Sequence, residues 1–148
     1  MTIIQLEFAT PEYDEAVKLR YKILREPLNL DFTAEQLATE YNDFHLAAYD
    51  LAWILRGCLV LTEKDANTLK MRQVAVESTS QNQGIGAALV QASEVFAREN
   101  GFIKMELNAR QTAVSFYRKL NYETVGDAFE EVGIQHFKMI KTLIKPTF

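Results

Sequence analysis

An α/β fold built on one twisted mixed sheet is what this 148-residue sequence predicts, and three features predict it. β-rich runs succeed one another at 44–48, 52–61 and 69–76, divided by turn residues at Tyr49-Asp50 and Lys64-Asp65-Ala66-Asn67, which makes an antiparallel meander. The third run ends at Val76 and passes through a glycine-bearing turn into a long amphipathic helix over 84–100. Another strand, 102–107, follows that helix, and a helical crossover between two strands of one sheet sets them parallel.

The remaining elements have local support. Residues 3–8 make a first strand, and Thr10-Pro11 supplies an N-cap with proline at N1 for a helix whose Tyr13, Val17, Tyr21 and Leu24 recur at helical spacing until Pro27. Thr33 and Gln36 form a capping box ahead of Leu37 and Tyr41. In the central helix Ile85, Ala88, Leu89, Ala92, Val95 and Phe96 share the expected inner face, Gln91, Arg98 and Glu99 turn outward, and Gly101 ends the helix. A short helix over 111–119 stops at Asn121, a residue that tolerates the left-handed conformation. Strands at 122–128 and 134–143 close a sheet of about seven strands with helices on both faces. No repeat, linker or low-complexity tract interrupts the chain, so one domain over 1–148 is expected.

Composition narrows the function classes. The length suits a core that needs no staples. Cys58 is the only cysteine, which removes internal disulfides and cysteine-rich metal sites; in its Leu59-Val60-Leu61 context it reads as a small buried apolar residue. Two isolated histidines, His45 and His136, do not complete a metal ligand set. A net charge of −4 argues against a nucleic-acid partner held by phosphate contacts. The apolar N-terminal segment is short, interrupted by Glu7 and without a basic region, so it reads as a strand rather than a signal peptide. No apolar run approaches the roughly 20 residues that span a bilayer, so a cytoplasmic protein without a membrane partner is the expectation.

The most telling stretch is Gln81-Asn82-Gln83-Gly84-Ile85-Gly86-Ala87-Ala88-Leu89. Glycine admits positive φ and close approach to the main chain, and the first N–H groups of a helix point at an anion beyond its end. A diphosphate fits such a turn. The dinucleotide fingerprint would need a third glycine where Leu89 stands, and the Gly-Lys-Ser/Thr of a Walker loop is absent. What remains, Gln-x-x-Gly-x-Gly after a strand, resembles the acetyl-CoA signature of the GCN5-related N-acetyltransferases (GNAT superfamily). Met71-Arg72-Gln73-Val74-Ala75-Val76 is similar to that family's central strand. Leu107-Asn108-Ala109-Arg110 with Ala113-Val114-Ser115-Phe116-Tyr117-Arg118 is similar to its second cofactor segment. Gly133-Ile134-Gln135-His136 resembles the Gly-Ile-Pro-His segment of its ElaA-like branch, with Gln135 in place of proline. The likeness covers nearly the whole chain and is strongest over 71–139.

The resemblance implies roles, residue by residue. The cofactor is acetyl-CoA, its diphosphate held by the N–H groups of Gln83, Gly84, Ile85, Gly86 and Ala87 with Gln81 and Asn82 beside them. Its pantetheine arm pairs with the main chain of Val74, Ala75 and Val76 as an added strand, and the Val76 N–H is placed for the oxyanion. Asn108, Ala113 and Phe116 complete the implied cofactor contacts, with a helix N-cap as the equal alternative for Asn108. Tyr117 is the implied general acid for the departing thiolate; packing beside Leu120 is its bland alternative. The base is open between His45 and His136, either of which as a neutral imidazole relays the amine proton directly or through water; His136 is the better candidate because its neighbours resemble the ElaA-like segment, with Glu131 as its partner. Candidate residues on the acceptor side are His45, Arg25, Arg72 and Glu77. The implied activity is acetylation of a primary amine of a small molecule or peptide, against two rivals: a non-catalytic acyl-CoA-binding or sensing module, and a nucleotide-binding regulatory domain. Analogy adds a homodimer through the closing strands.

Overall fold

A computed structural model describes residues 1–143. Seven strands form one mixed sheet in the order β1-β2-β3-β4-β5-β7-β6. They are β1 (Thr2–Leu6), β2 (Phe44–Tyr49), β3 (Leu55–Asp65), β4 (Thr68–Val76), β5 (Lys104–Arg110), β6 (Glu123–Glu131) and β7 (Ile134–Thr142). Four α-helices accompany them: α1 (Pro11–Arg20), α2 (Ala34–Ala38), α3 (Ile85–Glu99) and α4 (Val114–Lys119). β1 and β3 flank β2 antiparallel, β4 and β5 run parallel from Thr68↔Lys104 to Met71↔Leu107, and β7 lies antiparallel to both β5 and β6. The predicted meander and crossover are both present.

The chain groups into two compact units, each assembled from two segments. The first comprises Met1–Thr62 and Arg72–Ser93. Thr10 caps α1 by accepting from the Tyr13 N–H at 3.2 Å, with Pro11 at N1. The buried face of α1 is Tyr13, Ala16, Leu19 and Arg20, whereas Val17 is half-buried and Tyr21 exposed. The single helix expected to run to Pro27 instead ends as an α-helix at Arg20, widening to a π turn over Tyr21–Arg25 and tightening to a 3₁₀ turn over Glu26–Leu28, which leaves Tyr21 exposed while Leu24 still packs half-buried against the core. Behind that face lies a core of Leu6, Ala16, Leu19, Ala47, Tyr49, Cys58 and Ala75. Cys58 is 2% exposed with its thiol pushed up to about 12 by burial, the inert apolar residue its sequence context suggests.

A buried charge pair crosses this unit. Arg20 donates to both carboxylate oxygens of Glu40, at 2.9 and 2.6 Å, and the Tyr13 hydroxyl donates to the same carboxylate at 2.8 Å. The Thr33 capping box forms in full, Gln36 N–H to Thr33 Oγ1 and Thr33 N–H to Gln36 Oε1, and it starts the short helix that delivers Glu40.

The second unit comprises Glu63–Met71 and the chain from Glu94 onward. α3 ends as expected: Gly101 takes φ 83°, and the Phe102 and Gly101 N–H groups bond Ala97 O and Arg98 O. Its inner face differs from the predicted one, since Val95 is 50% exposed while Val90, Ser93, Glu94 and Ala97 are buried. Glu94 turns inward because it has partners there, the Tyr122 hydroxyl at 2.9 Å and Lys141 Nζ at 2.8 Å. Buried Glu106 of β5 is likewise met by Lys64 Nζ at 2.7 Å and Lys138 Nζ at 3.2 Å.

Candidate active site

β4 runs into the glycine turn through a strained residue. Gln73 holds φ 55°, two residues past Met71, where the register with β5 ends. Left-handed backbone at a non-glycine residue costs on the order of 1–3 kcal/mol and marks places where a strand is re-aimed. Its Oε1 is also buried without a hydrogen-bond partner among the described residues. Past Gln73, Val74 and Val76 are half-buried and Ala75 is 1% exposed.

In the turn itself Asn82 (φ 64°) and Gly84 (φ 80°) both take left-handed backbone. A Cβ on Gly84 would meet nothing within 4 Å, so the space above it is open. The Ala88 N–H donates to Gly84 O at 3.0 Å as the first rung of α3, which leaves the N–H groups of Ile85, Gly86 and Ala87 ahead of the intrahelical ladder. Gln81, Asn82 and Gln83 are exposed beside them, and the Gln81 amide folds back to donate to Val76 O at 3.1 Å.

Gly57 is a positioning residue that sequence reasoning missed. A Cβ there would lie 2.8 Å from Leu89 Cδ1, 3.1 Å from Ile85 Cγ2 and 3.3 Å from Ala75 O. The absent side chain lets β3 pass directly under the start of α3. Leu89 is fully buried and cannot swing aside. Gly57→Ala should therefore cost about 1–3 kcal/mol of stability, as overpacking does, read from the urea midpoint.

The acceptor-side candidates of the first unit are all engaged. His45 is 3% exposed, its ring edge-on to Tyr13 at 5.0 Å, with Nε2 donating to Glu40 O at 3.0 Å. The Arg25 guanidinium lies 4.7 Å from the Phe32 ring centroid. Arg72 Nη1 reaches Thr62 Oγ1 at 3.2 Å and Asp43 Oδ2 at 3.9 Å. Asp43 had no signal in the sequence, yet burial raises its carboxyl above the ordinary value against the pull of Thr62 and Arg72.

In the second unit, Tyr117 is 7% exposed on α4, edge-on to Phe116 at 5.0 Å and Tyr122 at 5.8 Å. Burial alone pushes its phenol up from 10 to about 12. Asn121 (φ 72°) closes α4, and the N–H groups of Leu120 and Tyr122 both bond Tyr117 O, which fixes the residue at the helix end. Phe116 is exposed, Ala113 half-buried just before α4, and Asn108 sits half-buried inside β5 rather than at a helix N-cap. His136 is 6% exposed, stacked on Phe129 with centroids 5.9 Å apart. Its Nδ1 meets Ile134 O at 2.8 Å, and because a carbonyl only accepts, Nδ1 is the donor there, which in the neutral tautomer leaves the lone pair on Nε2. Glu131, the expected partner, is exposed and lies opposite Ile134, whereas His136 lies opposite Phe129. Among the described residues no group of three or more His, Cys, Asp and Glu could hold a metal ion.

A family model described as an acetyltransferase (GNAT) domain matches residues 10–143. An uncharacterized N-acetyltransferase of Bacillus subtilis, YitI, is 27% identical over 146 residues, covering 93% of this chain and 97% of that protein. An uncharacterized acetyltransferase of Streptococcus pyogenes is 34% identical over 62 residues, a match that spans only 42% of either chain. Among solved structures, an aminoglycoside 6'-N-acetyltransferase complexed with coenzyme A aligns over all of both chains at TM-score 0.81 and 21% identity. Escherichia coli ElaA aligns at 0.79 and 15% identity over 95% of this chain and 99% of its own, one neighbour among several. These likenesses carry the fold. The protein is an acetyltransferase domain of the GNAT family, with the branch within it unassigned.

Proposed function

We propose that this domain transfers the acetyl group of acetyl-CoA directly to a primary amine of a small molecule or peptide. The observation that carries the proposal is the turn at Asn82 and Gly84, which follows β4 and leaves three helix N–H groups ahead of the first rung with open space above Gly84. Those donors suit a diphosphate, and the main chain of Val74, Ala75 and Val76 suits the amides of a pantetheine arm. The coenzyme A complex of a structural neighbour supports the same cofactor.

In the proposed reaction the amine nitrogen attacks the thioester carbonyl, a C–N bond forms and the C–S bond breaks. The proposal assigns the developing oxyanion to the Val76 N–H, the ammonium proton to His136 Nε2 as acceptor, and the proton taken up by the thiolate to Tyr117. A phenol raised to about 12 stays protonated at neutral pH, and the apolar surroundings that raise it also raise the proton affinity of the thiolate. Gln81, Asn82, Asn108, Ala113 and Phe116 are proposed to flank the cofactor, and Arg25, Arg72 and Glu131 the acceptor. The buried, bonded ring of His45 supports a packing role instead. Gly133 to His136 support a place beside ElaA-like proteins, and by analogy two copies pair through β6 and β7. The cytoplasm is the proposed compartment; no helix among the described residues is long and apolar enough to cross a membrane.

A screen of aminoglycosides, polyamines, simple amines and peptide N-termini with acetyl-CoA, reading released thiol, tests the proposal. Tight CoA binding with no thiol release from any amine would favour the sensing module. If His136 takes the amine proton, His136→Ala should lower the rate at neutral pH and flatten the pH profile while leaving CoA affinity unchanged. A profile superimposable on the parent's reduces His136 to structure.

A further inference from the structure

The segment that joins β4 to the diphosphate turn is held by a chain of charges with no part in the chemistry above. Glu77 follows the last residue of β4, and its N–H still bonds Arg56 O at 2.8 Å, so the main chain is anchored to β3. Its carboxylate Oε2 then turns forward: it accepts from the Thr79 N–H at 3.1 Å, from the Thr79 hydroxyl and from Ser80 Oγ at 3.2 Å, while its carbonyl accepts from the Ser80 N–H at 2.9 Å. Behind it stands Arg56, with Nη1 3.6 Å from the same oxygen. Arg56 is held in turn by Asp50, Nε to Oδ2 at 2.9 Å, and the other Asp50 oxygen is fixed by the Ala52 and Ile54 N–H groups at 2.9 and 3.0 Å. Three segments are thereby tied in series: the β2–β3 turn, the start of β3 and the lead into Asn82-Gln83-Gly84.

A carboxylate on the segment that leads into an anion site is electrostatically unfavourable unless its charge is already spent. Here it is, on one guanidinium and three donors. A cap for a single 3₁₀ turn would need neither Arg56 nor the brace on Arg56. We propose that Glu77, braced by Arg56 and Asp50, is a positioning residue for the diphosphate of acetyl-CoA: it sets the height and angle at which the chain enters the turn, and so the direction of the Ile85, Gly86 and Ala87 N–H groups. This rests on the reading of that turn as the diphosphate site.

The test is a titration of ¹⁵N-labelled protein with CoA, following the Ile85, Gly86 and Ala87 amide signals, beside a titration with pantetheine, which lacks the diphosphate. In the parent those three amides shift with CoA and not with pantetheine. Glu77→Ala and Arg56→Gln should each weaken CoA binding about tenfold or more and shrink those shifts, with signals elsewhere in β1, β2 and α1 unmoved. Glu77→Gln, which keeps the acceptors for Thr79, should recover part of the loss. Parent amides indifferent to CoA overturn the reading of the turn itself. Parent amides that respond while both Glu77→Ala and Arg56→Gln bind CoA within twofold of the parent leave that reading intact and overturn the positioning role. Should Glu77→Ala not fold, Arg56→Gln, which leaves the Thr79 and Ser80 contacts in place, decides alone.

Discussion

Glu40→Ala is expected to cost about 3–5 kcal/mol of folding stability, because it strands a buried guanidinium. Arg20 is 1% exposed and both of its terminal nitrogens are spent on Glu40, while Tyr13 donates to the same carboxylate. Removing the carboxylate leaves a charge and a phenolic hydroxyl without partners in a site that water does not reach. The pair itself is a different quantity. Two charges taken from water roughly repay their desolvation when paired, so Arg20→Met with Glu40→Leu should recover most of that loss and stay below the parent by about 1–3 kcal/mol, the cost of the Tyr13 hydroxyl that it also leaves unpaired. Urea denaturation of the parent, the single variant and the double variant separates the two statements.

The pair also fixes a pH dependence. Burial by itself would raise the Glu40 carboxyl; the hydrogen bonds and charge of Arg20, with the Tyr13 hydroxyl, outweigh it and hold the carboxyl below its ordinary 4.5. A carboxyl depressed in the folded state contributes stability above its unfolded value, and that contribution disappears as the pH falls through the folded one. The parent should lose stability on acidification below about pH 4.5, and the double variant should lose less over the same interval.

Tyr117→Phe keeps a ring that packs against Phe116 and Tyr122 and removes the only proton the residue can give. If the phenol protonates the thiolate, turnover should fall by about 10² to 10⁴, or roughly 3 to 5 kcal/mol of barrier, with CoA affinity changed little. The split between turnover and affinity is what distinguishes an acid from a packing aromatic, whose loss would appear first in stability. Steady-state thiol release with an amine identified by the screen measures it. Turnover within twofold of the parent would leave Tyr117 as the core aromatic that its 7% exposure also describes.

Much of the frame was legible because it is written in local chemistry. Thr10-Pro11, the Thr33/Gln36 box, Gly101 and Asn121 each specify a helix end through one backbone conformation or one hydrogen bond, and each forms as read. The glycine turn was legible for the same reason. What the sequence concealed depends on partners remote along the chain. Arg20 and Glu94 sit inside only because Glu40, Tyr122 and Lys141 meet them, so an inner face drawn from apolar residues alone took in Val95 and left out Glu94. Gly57 gave no signal, since close approach to α3 is a property of packing and not of spacing. Gln73 likewise reads as an ordinary strand residue until its φ is seen.

The N-terminal end of α3 and the turn before it are proposed to hold the diphosphate of acetyl-CoA. Calorimetric titration of CoA into the parent and into Gly86→Val tests it most directly, because a valine in the first turn of α3 would fill space meant for phosphate oxygens without touching Tyr117 or His136. The account predicts saturable binding by the parent and a loss of at least about tenfold in the variant, roughly 1.4 kcal/mol, with the circular dichroism of both proteins alike. Equal CoA affinity in the parent and a natively folded Gly86→Val would contradict it.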